Sequence, residues 1–303
     1  MTFVKEISLS SFSTSFVQSR LSLEFKAVLS EFQSLGIRVS PVVWFSTEWF
    51  CPDQVEGIGI PFYLQSTKAM NYLEKNGVRV EGKTKTERAD LFRHEIAHVV
   101  DNCYGLRKLK KRQELFGLSS IPYPDFYVPK GGLKSVNHLD DNYWQSHPCE
   151  DFAETLSFVV KNWSKVESFS TNPKVLYCVD LIKKHDVFSM RKKQSLSKTP
   201  VDEIANEKIN LGDFIYQNLK DRSELLKGHS YSDSNTRLLA ARNIKKLTSK
   251  NKMPWAVDNL RQLLSYKENF LGQKTFVSKQ IMSQLESGSS SWLKEMGLDR
   301  IYM

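Results

Sequence analysis

Two histidines four residues apart flank a glutamate in residues 94–98, which read H-E-I-A-H. Residues four apart lie on one face of a helix, so His94 and His98 can present both imidazoles to one metal ion. Glu95 then lies about 100° round the helix axis, beside the ion rather than on it. A bound metal makes its water acidic, and an adjacent carboxylate can take and pass on the proton. The segment therefore predicts a hydrolytic zinc site with Glu95 as the general base.

A catalytic zinc site needs a third protein ligand and one open position for water. The metzincin pattern would place glycine and then His or Asp three and six residues after the second histidine. Asp101 and Tyr104 occupy those positions, which excludes that pattern. The gluzincin pattern instead takes a glutamate from a second helix. Residues 147–155 supply Glu150 and Glu154, four apart on one face, so that one can bind the metal while the other orients a ligand histidine.

The surroundings of these two glutamates favour a metal site over a solvated helix face. The helix also carries the apolar residues Phe152, Ala153, Leu156, Phe158, Val159 and Val160, and neither glutamate has a lysine or arginine three or four residues away. Residues 141–160 hold four acidic residues and no lysine or arginine. These features favour a pair of glutamates at a metal site.

Further side chains near the two motifs are candidates for supporting roles. Asp101 follows on the same helical face as both histidines and can accept the far N–H of a ligand imidazole. His138 and His147 remain rival metal ligands, and His147 lies three residues before Glu150. Cys149 could be a thiolate ligand, although its position about 100° from the ligand face favours a packed core thiol.

Both segments resemble those of known metallopeptidases. A family of zinc-binding metallopeptidases found mainly in bacteria carries R-H-E-x-x-H followed by H-P-x-E-D-x-A-E-T, and residues 93–98 and 147–155 are similar to these motifs. Residues 60–64 are similar as well. A more distant resemblance is to the catalytic domain of anthrax lethal factor, through H-E-x-x-H-x-V-D-[D/N] at residues 94–102 and E-x-F-A-E at residues 150–154. Together these resemblances cover roughly residues 40–165.

The resemblance implies a role for each residue of the second motif. It implies that Glu150 is the ligand of a single Zn²⁺ ion per chain and that Glu154 supports a ligand histidine. It also implies a tyrosine seven residues before the ligand glutamate that acts on the substrate oxyanion, and Tyr143 occupies that position.

The elements that must position these residues can be read from the pattern of caps and apolar residues. Thr84 and Glu87 have capping-box spacing and predict a helix that begins there and runs to about Asn102. The proline after His147 predicts a second helix from there to about Trp163.

The upstream segments predict a helix and a small sheet. Residues 17–35 carry apolar residues at helical spacing, and residues 37–45 and 57–64 read as strands. Pro61 favours a sheet edge for the second strand. We expect the substrate to lie antiparallel to this edge, with Ile58 and Ile60 binding it.

The expected architecture is α+β, with a zincin-like catalytic domain in residues 1–190 and a basic linker in residues 191–200. Residues 201–303 are predicted to be an α-helical C-terminal region, which could bind a partner protein or self-associate. Residues 118–142 form a long loop that is rich in proline and glycine.

The net charge of +9 raises an alternative function. Basic runs at residues 107–112 and 183–198 could contact phosphates, in a nucleic-acid-associated protein with a structural zinc or a peptidase recruited to DNA-bound proteins. Solvated faces explain such runs more simply, because residues 1–200 sum to +5 and residues 201–303 to +4, so neither part is strongly basic. A protein or peptide substrate is therefore the favoured partner, and nucleic acid is not.

The cellular location of the protein is predicted from the absence of membrane-spanning and secretion signals in the sequence. It contains no stretch of about eighteen apolar residues, so no membrane span is expected. Residues 1–6 do not begin a signal peptide, and the four cysteines form no C-x-x-C pair. These features predict a cytoplasmic protein, although secretion by a specialised machine would leave no signal of this kind.

Overall fold

The computed structural model describes residues 6–123, 136, 138–139, 143–169, 171–184, 188 and 195–218. Within these ranges the chain combines helices with a two-stranded sheet, and residues 211–218 are also helical. The helices are α1 (Leu21–Ser34), α2 (Thr67–Lys75), α3 (Lys85–Tyr104), α4 (Lys110–Phe116), α5 (Pro148–Lys161) and α6 (Pro173–Lys183), and the strands are β1 (Val42–Ser46) and β2 (Gly57–Pro61). No helix in this part of the chain is long and apolar enough to cross a membrane. The zincin-like assignment stays a prediction.

Helix α3 carries the first motif, and its ends are fixed by local interactions. The predicted capping box is confirmed: the Thr84 hydroxyl accepts the Glu87 N–H at 3.2 Å, and the Glu87 carboxylate accepts the Thr84 N–H at 3.2 Å. At the other end Gly105 has a left-handed φ of 58°, which glycine adopts at little cost.

Two arginines hold α3 against α1. Arg88 binds both carboxylate oxygens of Glu24, at 2.7 and 2.8 Å. Arg93, directly before His94, binds both oxygens of Glu31 at 2.7 Å. Such paired contacts constrain the orientation of both partners. They therefore fix the rotation of α3, and with it the direction in which its histidines project.

Helix α5 carries the second motif and packs on α3 through a continuous apolar surface. Phe152, Leu156 and Val159 are fully buried, as are Ile96 and Val99 on the facing helix. The helix begins at Pro148, as predicted, and the His147 side chain caps it by accepting the Cys149 N–H at 3.2 Å.

The sheet corrects the prediction for substrate binding. Strands β1 and β2 are parallel, and the side chains of Ile58 and Ile60 are fully buried. Gly59 pairs through both its N–H (2.9 Å) and its C=O (3.2 Å) with Phe50. Because backbone groups alternate in direction along a strand, those of Ile58 and Ile60 face β1. These two residues therefore cannot bind a substrate, and the edge of β2 is covered at its centre.

The predicted domain boundary is also wrong. Glu56 donates its backbone N–H to Ser197 at 2.7 Å, so part of the supposed linker pairs with the segment before β2. The Trp44 indole N–H donates to the carbonyl of Val201 at 2.8 Å. The ring of Phe214 packs 5.2 Å from that of Phe62. Residues 195–218 thus belong to the same packed unit, while the helical prediction for residues 219–303 lies outside the described residues.

Replacing Gly59 with Ala tests the covered edge of β2. An exposed strand would gain stability from this change, but here the new methyl group would collide with the Phe50 ring. We expect a loss of about 1–3 kcal/mol in the free energy of unfolding, measured by denaturant titration. The loss should shrink in a Phe50→Leu background. A Gly59→Ala protein more stable than the parent would contradict the pairing.

Candidate metal centre

Three side-chain atoms from α3 and α5 converge on one point. The His94 and His98 Nε2 atoms are 3.1 Å apart, and the Glu150 Oε2 lies 3.0 and 3.2 Å from them. A zinc ion bonded to nitrogen and oxygen at about 2.0–2.1 Å, with tetrahedral angles, would separate its ligands by about 3.3 Å. Among the described residues, this is the group of three that could hold a metal ion. The triangle therefore has the size and donor types that could hold a metal ion.

The electrostatics of this triangle favour a cation. Burial alone would lower the pKa of His94, but hydrogen bonds to Glu150 and Glu154 outweigh it and hold this pKa well above its usual value. Burial likewise opposes ionisation of Glu150, yet the interactions with His98 and His94 hold its pKa well below the usual range. The site thus stabilises a positive charge among these groups, whether a proton or a metal ion.

Glu154 contacts the ring nitrogen of His94 that faces away from the triangle. Its fully buried carboxylate accepts the His94 Nδ1–H at 2.9 Å. The second oxygen accepts the backbone N–H groups of His138 (2.5 Å) and Leu139 (2.9 Å). Because Nδ1 is held by Glu154, Nε2 is the nitrogen that faces the triangle, where it would offer a lone pair to a metal ion that displaces its proton.

Glu95 and Tyr143 line the same cavity of about 340 Å³ as the three converging side chains. Burial raises the pKa of Glu95, although His94 and His98 oppose this effect. A raised pKa makes a carboxylate a better proton acceptor near neutral pH. The ring of Tyr143 lies 6.3 Å from that of His94, so it faces the site from the α5 side.

Tyr123 is a functional candidate that the sequence patterns missed. Its hydroxyl donates to the Glu150 Oε1 at 2.7 Å, and its ring stacks on His147 with 3.7 Å between centroids. Tyr123 as a whole is 53% exposed, but desolvation of its hydroxyl and the neighbouring Glu150 carboxylate raise its pKa, so the hydroxyl keeps its proton. Tyr123 lies in the proline-rich loop, at no fixed spacing from either motif, and only the folded chain brings it to the site.

Neither rival histidine belongs to the converging group, and each has another partner. His147 uses both ring nitrogens, since Nδ1 accepts the Cys149 N–H and Nε2 donates to the Ile121 carbonyl at 2.9 Å. His138 Nε2 faces the Asp90 carbonyl at 3.3 Å, and burial lowers its pKa to about 4. The sulfur of Cys149 is buried beside the cavity and is not one of the three converging ligands.

The predicted role of Asp101 is wrong. Its Oδ2 accepts a hydrogen bond from Arg112 at 3.0 Å, and its Oδ1 has no hydrogen-bond partner. Both side chains are fully buried. Asp101 therefore joins α3 to α4 through an ion pair instead of orienting a ligand imidazole.

Arg112 of this ion pair and Arg107 both belong to the basic run at residues 107–112. Arg112 is enclosed by the rings of Phe116 and Phe152. Arg107 donates to Asp53 at 2.9 Å and to Asn102 at 2.7 Å. Two of the cations that suggested a phosphate-binding patch are thus engaged within the protein.

Comparisons of the chain with protein-family models, with curated proteins and with solved structures found no match. The likeness to metallopeptidases therefore consists of the motif residues alone.

Replacing Glu154 with Gln tests the support of His94. The amide of Gln must turn its NH₂ group either to the His94 Nδ1–H or to the two backbone N–H groups, so a donor meets a donor. We expect zinc affinity, measured by competition with a chelator, to fall about 10- to 100-fold.

The matched control is Asp101→Asn, which also alters a buried carboxylate of this region. This variant should lose stability, because Arg112 keeps its charge without a full partner, but its zinc affinity should stay near that of the parent. Weaker zinc binding by Asp101→Asn, or full affinity in Glu154→Gln, would contradict these assignments.

Proposed function

We propose that the chain is a zinc-dependent metallopeptidase of the gluzincin type, which hydrolyses peptide bonds in a protein or peptide substrate. His94, His98 and Glu150 would hold one Zn²⁺ per chain. The observation that carries the proposal is the triangle of ligand atoms with edges of 3.0–3.2 Å. Glu95 shares its cavity, so ligands and general base face one space.

Each side chain has a distinct part in this chemistry. When bound, zinc would supply Lewis acidity that lowers the pKa of a water ligand and polarises the peptide carbonyl. Glu95 accepts a proton as the water attacks and passes that proton to the leaving amine. The Tyr143 hydroxyl donates to the oxyanion that forms from the carbonyl oxygen.

The edge that would receive a substrate is residues 49–51 instead of β2. Phe50 directs its N–H and C=O toward Gly59, so the backbone groups of Trp49 and Cys51 point away from β2. Trp49, Phe50 and Cys51 all line the cavity. An extended peptide could add to this edge through main-chain hydrogen bonds and lie beside the ligands.

The described contacts favour this function over a nucleic-acid-associated protein with a structural zinc. A structural zinc has four protein ligands, whereas a catalytic site leaves one position for water. The converging group has three members, and His138 and His147 are engaged elsewhere. A role for residues 219–303 in binding partners or nucleic acid stays a separate prediction.

Replacing Glu95 with Gln tests the proposed general base. This change keeps the size of the side chain but removes its ability to accept the proton. We expect cleavage of a complex peptide mixture, followed by mass spectrometry, to slow about 10²- to 10⁴-fold while one zinc per chain is retained.

Glu114→Gln, on the exposed surface of α4, is the control and should cleave like the parent. A Glu95→Gln protein that cleaves as fast as the parent would exclude Glu95 as the base. A zinc-loaded parent that cleaves nothing in the mixture would argue against peptidase activity.

Replacing Tyr143 with Phe tests the proposed oxyanion donor. The ring and its packing remain while the hydroxyl is lost. We expect kcat to fall about 10²- to 10³-fold, as for the loss of an oxyanion donor elsewhere. Zinc affinity should not change, because Tyr143 is not a ligand. A change in zinc affinity with normal kcat would contradict this role.

A further inference from the structure

The two oxygens of the Glu150 carboxylate have different partners. Oε2 lies 3.0 and 3.2 Å from the imidazole nitrogens of His94 and His98. Oε1 accepts the hydroxyl of Tyr123 at 2.7 Å. The carboxylate is therefore divided between a ligand oxygen and an oxygen that is hydrogen-bonded to the protein.

Tyr123 is itself held by the N-cap of α5. The His147 imidazole lies flat against the tyrosine ring, with an interplanar angle of 17°. Its Nε2–H donates to the carbonyl of Ile121, two residues before Tyr123. His147 thus fixes both the ring and the backbone of the segment that carries the hydroxyl, while its Nδ1 caps the helix that carries Glu150.

We propose that Tyr123, held by His147, is a positioning residue that orients Glu150 as a ligand through one oxygen. The inference rests on the proposed zinc site and gives a positioning role to two residues that are not ligands. A carboxylate with two free oxygens can rotate or offer both to a metal. With Oε1 engaged, only Oε2 is presented, and a coordination position remains for water.

The hydrogen-bond donor to Glu150 is neutral, and the two other acidic residues of α5 have different partners. Asp151, the next residue, pairs with the ammonium group of Lys174 at 2.5 Å. Glu154 is satisfied by His94 and two backbone N–H groups. Glu150 instead accepts a hydrogen bond from the Tyr123 hydroxyl, which fixes one carboxylate oxygen without neutralising its charge. The charge of Glu150 therefore remains available to a bound cation.

A double-mutant cycle on zinc affinity tests this inference. The proteins are the full chain, Tyr123→Phe, His147→Asn and the double variant, each titrated with zinc against a chelator. Asn retains the ability to cap a helix but loses the stacked ring. We expect Tyr123→Phe to weaken zinc binding about 10-fold or more. The double variant should be no weaker than Tyr123→Phe, because His147 acts through Tyr123.

The visible absorption of the cobalt-substituted proteins reports on the ligand geometry directly. It should change in Tyr123→Phe and remain that of the parent in Tyr216→Phe, which alters an exposed tyrosine outside the cavity. Unchanged zinc affinity and an unchanged cobalt spectrum in Tyr123→Phe would overturn the inference and leave the zinc site intact. Slower peptide cleavage with unchanged zinc affinity would also overturn it, since Tyr123 would then act on the substrate. A parent protein that binds no zinc would overturn the proposed function as well.

Discussion

The crossing of α3 and α5 must bring two imidazoles and a carboxylate within about 3 Å of one another inside a buried interface. Such a cluster is costly to bury unless a cation is shared among its members. Both helices are accordingly fixed from outside the cluster. Two bidentate arginine–glutamate pairs orient α3 against α1, and the His147 cap sets the start of α5. The geometry of the triangle follows from these contacts, since apolar packing alone would tolerate small rotations of either helix.

The buried acids around the cluster show how the charge is distributed. Asp101 is paired with Arg112 and Asp151 with Lys174, so each of these carboxylates has a permanent cation. Glu154 is satisfied by an imidazole N–H and two backbone N–H groups. Glu150 and Glu95 face the cavity without a lysine or arginine partner among the described contacts. Glu150 is therefore available to supply the negative charge that a zinc ion would need, and Glu95 is available to accept a proton.

Those parts of the structure that depend on local sequence were predictable, and those that depend on distant contacts were not. The capping box, the proline at the start of α5 and the four-residue spacings are properties of short segments. They placed His94, His98, Glu150 and Glu154 on the helix faces that meet in the structure. Spacing also put Asp101 on the ligand face, but a buried arginine eleven residues away took its carboxylate. Other features depend on contacts between residues far apart in the chain, and sequence periodicity carries no information about such contacts. These features are the partner of Gly59, the contact of Tyr123 with Glu150 and the docking of residues 195–218.

X-ray absorption at the zinc edge of the purified protein would test the central claim most directly, because it reports the metal and its ligand atoms together. The proposed site predicts one zinc per chain, bound only by nitrogen and oxygen at about 2.0–2.1 Å, with two imidazoles in the first shell. A sulfur ligand at about 2.3 Å would bring Cys51 or Cys149 of the same cavity into the site and contradict the assignment. Absence of zinc from a protein supplied with it would contradict the metal centre itself.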